Sequence, residues 1–128
     1  MTDPPSTLVV AAVDDDPSIL RSLAYLLESA DYSVRLFTSA AEFMDSDCLH
    51  EIDCLISDVD MPGTDGFELS RLVDAERRGL PMIFITGYPD RLKRLPASAV
   101  TAPRYFIKPF DGSEFLTAVG DAIRAFRR

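Results

Sequence analysis

Leu55-Ile56-Ser57-Asp58-Val59-Asp60-Met61-Pro62-Gly63 is the stretch on which the reading of this 128-residue chain turns. With Cys54 before it, Leu55-Ile56 makes a short apolar run, the mark of a strand buried on both faces of a parallel sheet. The run ends on Asp58, and Pro62-Gly63 forces a turn soon after. A carboxylate therefore stands where a central strand leaves its sheet, the edge at which open α/β sheets build their sites. Taken alone, Asp58 reads equally well as a turn or capping residue. A second acidic group, Asp14-Asp15-Asp16, follows another apolar run, Leu8 to Val13. Carboxylates delivered to one edge by two strand ends repel one another unless a cation lies between them. Oxygen ligands in small number, with room left for water and phosphate, suit Mg²⁺.

The rest of the chain alternates strand and helix around that stretch. Leu8 to Val13 is the first strand. Asp16 suits the N-cap and Pro17 the first position of a helix, whose inward face is Ile19, Leu23, Leu26, Leu27 and Ala30. That leaves Asp14 and Asp15 as the site candidates. Val34 to Phe37 is the second strand, and Ser39 with Glu42 has capping-box spacing for a short helix with Phe43 inward. After Gly66 a helix should bury Leu69, Leu72 and Val73 and stop at Gly79, leaving Arg71, Arg77 and Arg78 on a solvated face. Pro81 to Thr86 is the fourth strand and Arg104 to Ile107 the fifth. Asp111 with Glu114 opens the last helix, stapled by Phe110 and Phe115, and Arg127-Arg128 complements its dipole. The predicted architecture is a single doubly wound α/β domain with a five-stranded parallel sheet and helices on both faces. Residues 1–6 form a tail and 7–128 the domain.

Composition excludes several classes. The formal net charge of −8 argues against nucleic-acid binding by this domain. No apolar run reaches the roughly 18 residues that span a bilayer, and no signal peptide precedes the first strand. Two cysteines are too few for a disulfide framework or a zinc site, with Cys54 expected in the core and Cys48 at a surface or helix end. His50 reads as solvated. The expected location is cytoplasmic.

Four strand ends thus carry Asp14 and Asp15, Asp58, Thr86, and Lys108. Val13-Asp14-Asp15, Asp58-Val59-Asp60-Met61-Pro62-Gly63 with Gly66, Thr86-Gly87 and Tyr105-Phe106-Ile107-Lys108-Pro109-Phe110 together resemble the receiver domain of two-component response regulators, from Leu8 to about Phe126. The resemblance implies a flavodoxin-like strand order, 2-1-3-4-5. It implies that Asp58 is the phosphoacceptor, taking its phosphoryl group from a sensor histidine kinase or histidine phosphotransfer protein. Asp15 and Asp14 would hold Mg²⁺ with Asp58 and the backbone carbonyl of Asp60. Thr86 and Lys108 would bind the phosphoryl oxygens, and Tyr105 would turn inward when Thr86 moves, altering a partner-binding face. Asp60 and Tyr88 would border the attacking water. The resemblance also implies a cis Lys108–Pro109 peptide. Such a domain is a phosphoacceptor that assists its own phosphorylation and slow dephosphorylation, not an enzyme.

The departure from the family pattern is Leu95 to Pro103, where an Ala-rich helix is usual and prolines stand at 96 and 103. A shortened helix is expected there, which puts the usual output face in doubt. Arg91, Lys93 and Arg94 read as a solvated basic cluster or an unusual partner surface. Three other readings compete with this one. Asp58-Val59-Asp60 mimics the nucleophile motif of haloacid-dehalogenase phosphatases, but that motif belongs on a first strand with its acidic pair later. An FMN carrier would have a Ser/Thr/Gly-rich phosphate loop where this chain has three aspartates. A non-phosphorylated interaction module on the same fold remains as the alternative. No effector domain follows the last helix, so the chain reads either as a stand-alone receiver or as the first part of a longer regulator.

Overall fold

The computed structural model describes residues 7–94 and 104–126. The chain runs β1 (Val9–Val13), α1 (Pro17–Ser29), β2 (Ser33–Phe37), α2 (Ala40–Asp45), a 3-10 turn (Cys48–His50), β3 (Cys54–Asp58), α3 (Gly66–Glu76) and β4 (Met82–Thr86). A second 3-10 turn (Pro89–Arg94), β5 (Tyr105–Ile107) and α4 (Gly112–Phe126) complete it. All strand pairs are parallel, in the order β2-β1-β3-β4-β5, so the predicted sheet and strand order hold.

Alternation along the strands divides the core in two. Ala11, Val13, Leu55, Met82 and Phe84 face one side, packed with Phe43 from α2 and Phe67, Leu69 and Val73 from α3. Val10, Ala12, Ile56, Ile83 and Ile85 face the other, against Leu23 and Leu27 of α1 and Phe115, Val119 and Ile123 of α4. Every residue of β3 and β4 is buried. Strands covered on both faces have no polar face, which is why they read as unbroken apolar runs.

The capping signals are realised with one change. The Asp16 carboxylate accepts from the Ser18 N–H and hydroxyl, at 2.9 and 2.7 Å, and the Glu114 N–H donates to Asp111. Ser39 accepts from the Glu42 N–H, but Glu42 reaches past it to the Thr38 hydroxyl, 3.0 Å away. The Phe110 and Phe115 rings stack with centroids 5.0 Å apart, completing the staple.

Five expectations need correction. Leu72 is 45% exposed, because α3 turns it one position off the stripe that Leu69 and Val73 bury. Ala30 is exposed at the end of α1. Cys48 is buried, since the 3-10 turn folds it into the core beside Leu49. α3 ends at Glu76, before Gly79; Arg77 leaves the helical conformation and its guanidinium donates to the Leu49 and Ile52 carbonyls while lying over the Phe126 ring. Arg77 is thus a clasp and not part of a solvated face. The expectations for residues 1–6, 95–103 and 127–128 lie outside the described residues. Among the described residues, no helix is long and apolar enough to cross a membrane.

Candidate functional site

The parallel sheet brings the C-terminal ends of β1, β3, β4 and β5 to one edge, and all the predicted site residues except Tyr105 meet there. Asp14, Asp15, Asp16, Asp58, Asp60, Gly87, Tyr88 and Lys108 line a cleft of about 370 Å³. Asp14 and Asp58 are buried and Asp15 is exposed; one carboxylate oxygen from each lies within 4.8 Å of the others. The register explains this convergence. Val13 sits beside Ser57 and Asp58 beside Ile85, so the residues just past β1 and those ending β3 and β4 fall level.

The local backbone holds each carboxylate. Asp14 accepts from the Asp16 N–H at 2.9 Å, and its own N–H donates to the Phe37 carbonyl. Asp58 is locked from behind by Gly66: a Cβ there would stand 2.5 Å from the Asp58 carbonyl oxygen, so only glycine lets α3 start this close to β3. Lys108 follows β5, anchored by its N–H to the Thr86 carbonyl at 2.8 Å, and the Lys108–Pro109 peptide is cis. The Lys108 ammonium lies 3.3 Å from Asp14 and 3.5 Å from Asp58.

Electrostatics follow from burial and like charge. Asp58 is pushed up to about 6, first by burial and then by the Asp14 charge, with Lys108 opposing. Burial raises Asp14 as well, offset in part by the Asp16 N–H and Lys108. Burial alone would lower Lys108, yet Asp58 and Asp14 outweigh it and hold the ammonium above its ordinary value. Three carboxylates facing one ammonium leave an excess of negative charge gathered on hard oxygen donors. That donor set fits a divalent cation of the magnesium kind.

Thr86 is wholly buried, and its hydroxyl is turned to the side. It donates to the Asp60 carboxylate at 2.8 Å and accepts from the Tyr88 N–H at 3.0 Å. The other Asp60 oxygen takes the Arg91 Nε at 2.8 Å. Arg91 also lies over the Tyr88 ring, 5.7 Å from its centroid. Arg91 is exposed, as expected of a solvated basic cluster, but its Nε is also turned onto Asp60, across 31 residues. No local pattern signals such a contact. Tyr105 stands away from the cleft on β5, 38% exposed.

A doubly wound sheet of order 2-1-3-4-5 with an acidic triad, a buried threonine and a lysine at one edge is the architecture of a receiver domain. The chain belongs to the response regulator receiver domain family, whose model matches residues 10–120. Its relatives include the transcriptional regulatory protein FixJ of Azorhizobium caulinodans, 36% identical over 115 residues, covering 90% of this chain and 54% of that protein. The response regulator protein TodT of Pseudomonas putida is 34% identical over 116 residues, covering 91% and 51%. The chain therefore spans about half the length of these curated relatives. Among solved structures, a receiver domain protein from Clostridium thermocellum superposes with a TM-score of 0.82 at 25% identity, covering 94% of this chain and 97% of that one. The response regulator StyR gives 0.81 at 31% identity, covering 95% and 62%. The family implies a phosphoacceptor switch of the two-component type, generally not a classical enzyme, paired with histidine kinases.

Proposed function

We propose that this domain is switched by transfer of a phosphoryl group from a phosphohistidine onto Asp58. An Asp58 carboxylate oxygen attacks phosphorus; the new O–P bond forms as the P–N bond to the imidazole breaks, leaving an acyl phosphate and a free histidine. Such a transfer needs positioning and charge stabilisation more than covalent help from the protein. Asp58 must be ionised to attack. Lys108, 3.5 Å from it, favours that form and offers a point charge to a phosphoryl oxygen. Asp14, Asp15 and Asp58, with the Asp60 backbone carbonyl, would hold Mg²⁺. When bound, Mg²⁺ supplies a Lewis acid and removes the carboxylate repulsion that otherwise meets an incoming phosphate. The observation that carries the reading is the Asp14–Asp58–Lys108 cluster: a buried carboxylate beside a second carboxylate, with one ammonium against both.

The Thr86 hydroxyl would leave Asp60 for a phosphoryl oxygen, and Tyr105 would turn into the space that opens. In support, Thr86 is buried and engaged sideways while Tyr105 stands exposed, the arrangement such a coupling needs at rest. The partner is a sensor histidine kinase or a histidine phosphotransfer protein. An apolar groove formed by Ile19, Leu23, Leu26, Pro109 and Phe110 runs from α1 to Lys108 and offers such a partner a seat beside the cleft. We place the domain in the cytoplasm, where its two free, buried cysteines would stay reduced. The output acts through protein and not through direct contact of this acidic domain with nucleic acid.

The test is intact-mass measurement after treatment with acetyl phosphate and Mg²⁺. A gain of one phosphoryl group on the wild-type protein, absent from Asp58→Asn, is expected. No gain on the wild type, or an equal gain on the variant, would overturn the assignment.

A further inference from the structure

Asp60 contributes more to this site than its backbone. Both of its carboxylate oxygens are taken: one accepts the Thr86 hydroxyl at 2.8 Å, the other the Arg91 Nε at 2.8 Å. The Thr86 hydroxyl has one proton, so while it donates to Asp60 it cannot donate to a group on Asp58. Its lone pairs face the Tyr88 N–H, 3.0 Å away, and the Tyr88 ring lies beneath the Arg91 guanidinium. The four residues close a ring that starts and ends at Arg91. Asp60 is also a fifth acidic side chain on a cleft that already presents Asp14, Asp15, Asp16 and Asp58. Arg91 is the cation that offsets it, as Lys108 offsets Asp14 and Asp58.

We propose that Arg91 is a positioning residue for the phosphoryl switch: it pins the Asp60 carboxylate against the Thr86 hydroxyl and so fixes the threonine in its resting orientation. The proposal rests on the phosphoacceptor reading of Asp58 for its consequence, but not for its geometry. Held by Arg91, Asp60 turns its charge to the side of the cleft. Without that partner, the carboxylate is free to rotate toward the path of an anionic phosphodonor, and Thr86 loses the acceptor that fixes its rotamer. Arg91 and Asp60 are both partly exposed, with side chains 46% and 24% accessible, so salt screens the pair and the effect is modest.

Two measurements on Arg91→Gln, Arg91→Lys, Asp60→Ala and the Arg91→Gln/Asp60→Ala double variant decide it. The first needs no phosphorylation: the rotamer of Thr86, read from its methyl three-bond couplings by NMR. A single rotamer is expected in the wild type, averaging in Arg91→Gln and Asp60→Ala, and recovery in Arg91→Lys. The second is the rate of mass gain with acetyl phosphate and Mg²⁺. Arg91→Gln should be slower by about 2- to 5-fold at about 0.02 M salt and within about 1.5-fold of wild type at about 0.5 M, as the screening length contracts. In the Asp60→Ala background the same substitution should change neither quantity. A single wild-type-like Thr86 rotamer in Arg91→Gln, or an Arg91 effect that persists without Asp60, overturns the proposal. If the wild type gains no mass, the phosphoacceptor reading falls, and the Thr86 rotamers still decide whether Arg91 holds Asp60.

Discussion

Asp58→Asn should make the metal-free protein more stable, although it removes the residue on which the site depends. In the unfolded chain this carboxyl has its ordinary value of 3.8; in the fold it is pushed up to about 6, by burial and by Asp14. The folded state therefore binds the Asp58 proton more tightly than the unfolded state does. Stability from this group is fully present below pH 3.8 and is lost as pH rises through about 6. At neutral pH the ionised side chain costs roughly 3 kcal/mol, from a displacement of about 2 pH units at about 1.4 kcal/mol each. Asparagine keeps an oxygen acceptor facing Lys108 and the Asp60 N–H but carries no charge. The gain should be up to about 3 kcal/mol at pH 7.5, on the order of 10 °C in Tm for a chain of this size. It should shrink to about 1.6 kcal/mol at pH 5 and to about 0.6 kcal/mol at pH 4, where the wild-type carboxyl is itself protonated. The assay is urea unfolding of both proteins in EDTA at the three pH values. A variant no more stable than wild type at pH 7.5, or a gain that stays constant with pH, would refute the claim that Asp58 is held in a destabilising charged state.

Magnesium titration should raise the Tm of the wild type, with stabilisation of about 2.7 kcal/mol when the free ion is at about 100 times its Kd, and Asp15→Asn should abolish most of that rise. Asp15 is exposed, so an unchanged metal-free Tm in the same variant separates lost metal binding from damage to the fold. Gly66→Ala should cost roughly 3 kcal/mol in urea unfolding, because its Cβ would meet the Asp58 carbonyl oxygen at 2.5 Å and the backbone there cannot yield; a loss under about 1 kcal/mol would show that α3 can slide. Thr86→Ala should leave mass gain at Asp58 largely intact while weakening the response of a downstream reporter. A response equal to wild type would remove Thr86 from the signalling route.

The fold was legible because two of its interior strands, β3 and β4, are covered on both faces. Leu55-Ile56 and Met82-Ile83-Phe84-Ile85 had no polar alternation to confuse them, and the caps at Asp16, Ser39 and Asp111 carry local signatures that the backbone follows. What was misread depended on contacts far apart in sequence. Leu72 and Val73 are adjacent apolar residues in the sequence, but only the direction of α3 decides which is buried. Arg77 looked like one of several charges on a polar face, yet it serves carbonyls 25 and 28 residues earlier. Cys48 is drawn inward by a turn with no strong signature of its own. The cluster of Asp14, Asp15, Asp58 and Lys108 could be placed together from strand ends alone. The sideways engagement of Thr86 by Asp60, and of Asp60 by Arg91, could not, because hydroxyl direction is a tertiary choice.

Gly66 makes the edge of the sheet work like a vice with one fixed jaw. On the β3 side, the first turn of α3 rests directly against the main chain of Asp58. On the opposite side stands a strand of three residues whose first and last side chains look outward. The two flanks of the cleft therefore differ in room: the β3 side has no space for even one added carbon, while the β5 side is short and partly open to solvent.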